Sequence, residues 1–198
     1  MLTRKGQLPI LLFNLAMLLS FLAYYISRKN YEFILYIGVV GFFLAVFVIS
    51  IRKVYFPNAL LWALTVWALC HLSGGTFYLR GTLLYEIILI PLSSQYPILR
   101  YDQLVHIFGF GAAGMVIYYI LRPLLKAHLD NAISISIIII SAGLGLGALN
   151  EIIEFAATII VPGTGVGGYM NTSLDLVADL TGAGAAAIFV IIINKYKS

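Results

Sequence analysis

Residues 100–111, with the sequence RYDQLVHIFGFG, open an apolar stretch that continues to Leu121. Asp102 and His106 stand four residues apart in it, and four helical steps of about 100° return a side chain to nearly the same face. If the stretch crosses a membrane as a helix, a carboxylate and an imidazole face one direction inside lipid. Such groups are costly in hydrocarbon unless other groups meet them, so we expect partners on other helices.

Two later apolar stretches, GALNEIIEF and SLDLVADLTGAG, carry polar groups at similar spacing: Asn150, Glu151, Glu154, Asp175 and Asp179. The two glutamates are three residues apart and the two aspartates four, so each pair projects from one side of its helix. An amide inside a membrane helix often bonds a neighbouring helix, and we expect Asn150 to do so rather than to bind a ligand.

Composition places the chain among integral membrane proteins. Of its 198 residues, 62% are hydrophobic and only 10% are charged, with a mean hydropathy of +1.00. Soluble domains have roughly 45–50% apolar and about 25% charged residues. We therefore predict an all-α multi-pass membrane protein with one domain over residues 1–198. The net charge of +4 comes from Lys and Arg near the ends of the apolar stretches, which indicates membrane orientation and no nucleic-acid binding.

Six transmembrane helices are predicted, over residues 8–26, 33–51, 58–73, 101–121, 133–160 and 174–193. Residues 76–99 do not fit a span, because their apolar run contains Glu86 and ends at Pro91. We expect this connecting segment to be interfacial or re-entrant, either covering a pocket or merely joining two spans. Residues 161–170 form a glycine-rich turn, after which Asn171, Thr172 or Ser173 is expected to cap the last span.

Glycines recur inside the last three spans, where they would let helices approach closely. Those expected at helix contacts are Gly109, Gly111, Gly114, Gly143, Gly145, Gly147, Gly182 and Gly184. The run GLGLG in the fifth span lacks the pattern of a dinucleotide site, and the glycine-rich turn lacks the GK[ST] of a phosphate-binding loop. The glycines are therefore interpreted as packing positions.

The distribution of basic residues predicts the orientation. One side of the membrane would carry eight: Arg4, Lys5, Arg52, Lys53, Arg122, Lys126, Lys195 and Lys197. The other side would carry four: Arg28, Lys29, Arg80 and Arg100. The positive-inside rule then places both termini in the cytoplasm. In this orientation all ionisable groups of the spans lie at similar depth in the outer leaflet.

Carboxylates gathered at one depth are expected to face the bundle interior and to share a cation, protons or water. The predicted catalytic and metal-binding residues are Asp102, His106, Glu151, Glu154, Asp175 and Asp179, with Arg100, His71 and Tyr101 expected to bind substrate. Oxygen ligands with one or two imidazoles suit Zn, Mg, Mn or Fe. A metal, Arg100 or protonation must neutralise the carboxylates. The alternative is a structural polar network that ties the last three spans together.

The series YDxxxH followed by glycine, then NExxE, then DxxxD followed by LTGA resembles the YjdF family of bacterial inner-membrane proteins. The similarity extends from about His71 to Gly184. A more distant likeness is to VanZ-like proteins, associated with glycopeptide resistance, in which Gln and Asn are expected where this chain has Glu154 and Asp179. The resemblance implies a membrane fold and location, and it implies no established reaction.

Two classes of function remain open. The first is a metal-assisted or acid/base hydrolase or transferase acting on a lipid or lipid-linked substrate at the outer leaflet. The second is a proton- or cation-coupled transporter or lipid-handling protein that uses the same carboxylates as a relay. A relay needs access from both faces, and the inward halves of the spans are apolar, which favours a one-sided enzyme site. Substrate, metal and oligomeric state are left open.

Overall fold

A computed structural model describes residues 6–51, 53–124 and 131–195. They form six α-helices: α1 (Gln7–Arg28), α2 (Tyr31–Ser50), α3 (Asn58–Gly74), α4 (Tyr101–Leu121), α5 (Ala132–Ile160) and α6 (Tyr169–Lys195). Between α3 and α4 lie two short strands, β1 (Tyr78–Leu79) and β2 (Thr82–Leu83), and a 3-10 helix over Leu84–Glu86. The predicted all-α membrane fold is therefore confirmed.

Five of these helices, α1, α2, α4, α5 and α6, are long and apolar enough to cross a membrane. The remaining helix, α3, is apolar but has 17 residues. At 1.5 Å per residue it extends about 25 Å, which lies at the lower limit for a span. Many large apolar side chains on the outer faces are exposed, as expected of helices that meet lipid tails. The chain is a multi-pass membrane protein.

The helix ends agree with the predicted spans to within two residues, except at the start of α6. That helix begins at Tyr169, five residues before the predicted start. The prediction that Asn171, Thr172 or Ser173 caps it is therefore wrong, because all three lie inside its first two turns. Helix ends are difficult to locate from local sequence signals. The polar residues at the start of α6 were interpreted as a cap, but they belong to the helix, where Asn171 contacts Asp102 of α4.

The connecting segment, residues 76–99, contains no helix long enough to span a membrane. Its strands pair antiparallel, with Tyr78 opposite Leu83, and Gly81 adopts a φ of +85° in the turn between them. The segment ends with a backbone hydrogen bond from the Tyr101 amide to the Ile87 carbonyl, which fixes it against the start of α4. Its exposed apolar side chains, which fit the predicted interfacial location, include Phe77, Tyr78, Leu79, Ile90 and Leu92.

Both described ends of the chain lie at the same end of the bundle. Gly6 lies against Asn58 at the start of α3, and Lys195 is the last residue of α6. The residues Asp102 and Asp175, near the starts of α4 and α6, lie at the opposite end. Of the basic residues used to predict the orientation, five lie outside the described residues: Arg4, Lys5, Arg52, Lys126 and Lys197.

Small residues bring α4, α5 and α6 close together. A Cβ atom added at Gly182 of α6 would lie 2.1 Å from the Ile107 carbonyl oxygen of α4, and one at Gly143 of α5 would lie 2.6 Å from the Ala183 Cβ of α6. Glycine is therefore required at these helix contacts. The packing prediction is wrong for Gly145 and Gly184, since an added Cβ would meet no atom within 4 Å at either position.

The half of these three helices that lies away from the polar groups has an apolar interior. Its buried residues are Tyr118, Ile135, Ile139, Ala186, Ala187 and Val190. The Tyr118 hydroxyl donates a hydrogen bond to Asn194 Oδ1 at 2.7 Å, beyond this cluster. The polar groups are thus separated from the opposite end of the bundle by a layer of packed aliphatic and aromatic side chains.

Candidate functional site

The ends of α4, α5 and α6 bring together five of the six predicted catalytic residues. Two groups of potential metal ligands result, and both contain His106. In each group the ligand atoms all lie within 4.8 Å of one another. The first group is Asp102, His106 and Asp175, and the second is His106, Glu151 and Asp179.

His106 lies between carboxylates of two helices. Its Nδ1 is 2.8 Å from Asp179 Oδ1 of α6, within hydrogen-bond distance, and its Nε2 is 3.8 Å from Asp102 Oδ1, one turn earlier on α4. His106 is 5% exposed and Asp179 is 0% exposed. The contact to Asp179 therefore fixes the ring orientation inside the bundle and directs Nε2 towards the start of α4.

Two amide side chains that sequence reasoning did not place in the site hold the carboxylates of the first group. The Asn171 amide donates to Asp102 Oδ2 at 3.3 Å and also to Asp175 Oδ2. The Gln103 amide donates to Asp175 Oδ1 at 3.3 Å, while its oxygen accepts the backbone N–H of Arg100. The spacing of four residues from Asn171 to Asp175 was a signal for the first of these, provided that α6 begins before Ser173.

One oxygen of Asp179 has no hydrogen-bond partner among the residues that the structure describes. Asp179 Oδ1 is the atom near His106, whereas Oδ2 is buried and unpaired. A Cβ atom added at Gly147 of α5 would lie 2.1 Å from this Oδ2. The glycine thus provides the space that the carboxylate occupies. A buried carboxylate oxygen without a donor is unfavourable unless another group compensates for it.

Glu154 lies apart from both groups of potential ligands. It is half-buried, and its Oε1 accepts a hydrogen bond of 2.8 Å from the Asn150 amide. Asn150 also donates a longer bond of 3.5 Å to Glu151. Because both acceptors belong to α5 itself, the prediction that Asn150 bonds a neighbouring helix is wrong.

Arg100 precedes α4 and forms no ion pair with any carboxylate among the described residues. Its Nε is buried and has no hydrogen-bond partner within the described part of the chain. The Gln103 side chain is hydrogen-bonded to the backbone of Arg100 and not to its guanidinium: Gln103 Oε1 accepts the Arg100 backbone N–H. A guanidinium that forms no ion pair with a described carboxylate is available for an anionic group other than a side chain.

His71 lies in an aromatic cluster that contacts the connecting segment. The Tyr85 hydroxyl is 2.6 Å from His71 Nδ1 and donates to the His71 carbonyl at 2.7 Å. Trp67 stacks on the imidazole with ring centroids 5.7 Å apart. No hydrogen bond or ion pair within the described part of the chain joins His71 to the acidic groups, and Tyr101 donates to the Cys70 carbonyl at 3.1 Å.

Tyr85 nonetheless lies near the acidic groups. Burial raises the pKa of its hydroxyl well above the ordinary value, and the negative charges of Asp102 and Glu154 raise it further. The ring of Tyr85 also lies edge-on to that of Tyr101, with centroids 6.1 Å apart. The 3-10 helix of the connecting segment is therefore packed beside the site and against the end of α3.

The arrangement can hold a divalent cation. Two carboxylates and one imidazole from α4 and α6 form a ligand set that suits Zn, Mn or Fe, and a set richer in oxygen suits Mg or Mn. The carboxylate that contacts the other ring nitrogen of His106 is typical of metal-binding histidines, whose second nitrogen is usually held in this way. The same groups could also move protons.

Comparison with protein families gives a match over nearly the whole chain. The model of a protein family described as "Predicted membrane protein (DUF2238)" matches residues 9–196. No curated protein and no solved structure matches the chain. The match confirms that the chain belongs to a family of membrane proteins. It does not support the predicted resemblance to the YjdF family or to VanZ-like proteins.

Proposed function

This chain belongs to the DUF2238 family of predicted membrane proteins, and we propose that it is a metal-assisted hydrolase or transferase acting on a lipid or lipid-linked substrate. One observation carries the proposal: ligand atoms of Asp102, His106 and Asp175, from two helices of a membrane bundle, lie within 4.8 Å of one another. Packing alone does not require this density of ionisable groups within apolar helices.

The first cation would bind His106 Nε2 and the carboxylates of Asp102 and Asp175. The 2.8 Å contact between His106 Nδ1 and Asp179 supports this assignment, because it leaves Nε2 directed towards Asp102. Asn171 would hold both carboxylate ligands in place through its amide. These outer contacts favour a preformed site over a set of carboxylates that merely repel one another.

In hydrolases and transferases a bound divalent cation polarises the reacting group or lowers the pKa of a bound water. In this chain Glu151, whose ligand atom lies within 4.8 Å of those of His106 and Asp179, would bind a cation or move a proton. Arg100 would hold an anionic group of the substrate, since its buried Nε has no partner. Glu154, His71 and Tyr101 would act at the periphery of the site, since none of them belongs to either group of potential metal ligands.

An enzyme fits the bundle better than a relay does. A proton or cation relay needs polar groups that continue to the other face of the membrane. Here the opposite half of α4, α5 and α6 is filled by an apolar cluster that includes Tyr118, Ile139 and Val190. This one-sided arrangement favours chemistry at one leaflet over transport through the bundle.

The proposed location is the outer leaflet of a cell inner membrane, with both termini in the cytoplasm. The excess of basic residues on the side of the termini, eight against four, supports this orientation. The resemblance of YDxxxH, NExxE and DxxxD to the YjdF family, and more distantly to VanZ-like proteins, is in keeping with it. The partners would then be membrane lipids or lipid-linked molecules that reach the site laterally.

Metal analysis of protein purified in mild detergent tests the proposal. We expect the wild-type chain to retain a divalent cation, and we expect Asp102→Asn to lose it because one ligand charge is removed. Incubation with vesicles of bacterial inner-membrane lipids, followed by mass spectrometry of the lipids, then tests for a product that requires the metal and Asp102. Metal-free protein of unchanged stability would reject this function.

A further inference from the structure

We propose that the site holds a second divalent cation, between Glu151 of α5 and Asp179 of α6. The inference rests on the proposed function, since it takes the first cation to be bound by Asp102, His106 and Asp175. The site would then be a two-metal centre, in which one cation lies on the α4 side of His106 and the other on the α5 side. Such centres occur in enzymes that hydrolyse or transfer phosphate esters.

The unpaired oxygen of Asp179 is the observation that points to a bound ion. Asp179 is fully buried, Oδ1 contacts His106, and Oδ2 has no hydrogen-bond partner within residues 6–51, 53–124 and 131–195. Of the potential ligands in the site, Asp102 and Asp175 both accept hydrogen bonds from side-chain amides. Asp179 Oδ2 therefore lacks the compensation that these other buried carboxylates have, and a cation would provide it.

The second group of potential ligands, His106, Glu151 and Asp179, defines the position of the second cation. Glu151 is buried, and its ligand atom lies within 4.8 Å of those of His106 and Asp179. His106 belongs to both groups, so the two cation positions are neighbours. A position built mainly from carboxylates suits Mg or Mn, with further oxygen ligands from substrate phosphate.

Charge balance also favours two cations. The described residues of α4, α5 and α6 include five carboxylates, all around one end of the bundle: Asp102, Glu151, Glu154, Asp175 and Asp179. A metal-bound His106 is neutral, so one divalent cation and the guanidinium of Arg100 would leave a net charge of minus two. A second divalent cation removes this excess, which would otherwise be costly within a membrane bundle.

The substrate class follows from the same arrangement. A pair of divalent cations beside a guanidinium with an unpaired Nε matches a phosphate or diphosphate ester, whose oxygens bridge metals and accept hydrogen bonds from Arg. A neutral ester would not use Arg100. We therefore infer that the lipid or lipid-linked substrate carries a phosphate ester.

The number of bound cations tests the inference. Purified protein is saturated with Mn²⁺, passed through a desalting column and analysed for manganese per chain, using wild type, Glu151→Gln and Asp102→Asn, with the exposed Glu86→Gln as a matched control. We expect two cations in wild type and in the control, and one in Glu151→Gln. Spin resonance of the wild-type protein provides a check that needs no variant: neighbouring Mn²⁺ ions are magnetically coupled and broaden the spectrum, whereas an isolated ion keeps resolved hyperfine lines.

The outcomes separate the two proposals. One cation in wild type, lost in Asp102→Asn and unaffected by Glu151→Gln, would overturn the second position and leave the proposed function in place. Resolved hyperfine lines of isolated Mn²⁺ ions at saturation would also overturn the second cation position. No retained cation in wild type would reject both proposals, because the buried carboxylates would then be neutralised by protons.

Discussion

The carboxylates of Asp102 on α4 and Asp175 on α6 accept hydrogen bonds from the same side-chain amide, that of Asn171. The two helices therefore present their acidic groups to one centre, and neither group can be changed without affecting the other. Asn171 also lies one helical turn before Asp175, so a single turn of α6 both provides a potential ligand and holds its neighbour on α4.

A double-mutant cycle should show coupling between these two aspartates. We expect Asp102→Asn and Asp175→Asn each to lower thermal stability or metal retention, and the double variant to cost at least about 1 kcal/mol less than the sum. The reason is that removal of one charge already alters the partners of the other. Thermal unfolding in detergent at fixed pH provides the measurement, with the exposed Glu86→Gln as control. Additive effects would mean that α4 and α6 do not share a centre.

Replacement of Gly147 by Ala should disturb the site from the side of α5. The added Cβ would lie 2.1 Å from Asp179 Oδ2, so the carboxylate or the helix must shift, at a cost of about 1–3 kcal/mol. Gly145→Ala is the matched control on the same helix, because its Cβ would meet nothing within 4 Å and Ala favours the helix. Melting temperatures of the two variants in the same detergent test this. Equal stabilities would show that α5 does not pack closely against Asp179.

Loss of the Tyr85 hydroxyl should loosen the connecting segment. Tyr85→Phe removes the bonds to His71 Nδ1 and to the His71 carbonyl, and we expect a cost of about 1 kcal/mol. Hydrogen exchange of residues 76–99 should become faster, and Tyr78→Phe, at an exposed position, provides the control. Unchanged exchange would mean that backbone contacts alone hold the segment.

The Tyr85 contact should also persist up to alkaline pH. The pKa of Tyr85 is raised well above its ordinary value by burial, then by the charges of Asp102 and Glu154. The folded state therefore holds this proton more tightly than the unfolded chain does, whose tyrosines titrate at about pH 10. The stabilisation is complete below that pH and is lost as the pH rises beyond it. A difference in thermal stability between wild type and Tyr85→Phe that is lost near neutral pH would contradict this prediction.

The orientation can be tested independently of the site. A reporter that is active only outside the cytoplasm should be inactive when it is fused after Ser198, because the basic residues favour a cytoplasmic C-terminus. The same reporter inserted after Gly81, in the turn of the connecting segment, should be active. The opposite pattern would place the acidic groups in the inner leaflet and exclude a substrate in the outer one.

Much of the architecture was predictable because it depends on local properties. Apolar stretches of suitable length identify membrane helices, and the span predicted over about residues 101–121 coincides with α4. The four-residue spacings of Asp102 and His106 and of Asp175 and Asp179 showed which side chains share a helix face. The order of the spans placed these ionisable groups at a common depth in the membrane. From that common depth we predicted that they would lie close together.

What only the tertiary structure decided is which groups meet and which atoms they use. The sequence by itself determined a multi-pass helical membrane protein with ionisable residues at one end of its bundle. The rotation of each helix about its axis, set by close contacts such as that of Gly182 with Ile107, placed His106 against Asp179 and left Glu154 with Asn150 on its own helix. It also brought Asn171 and Gln103 into the site. A sequence does not encode that rotation locally, because it results from the packing of all neighbouring helices at once.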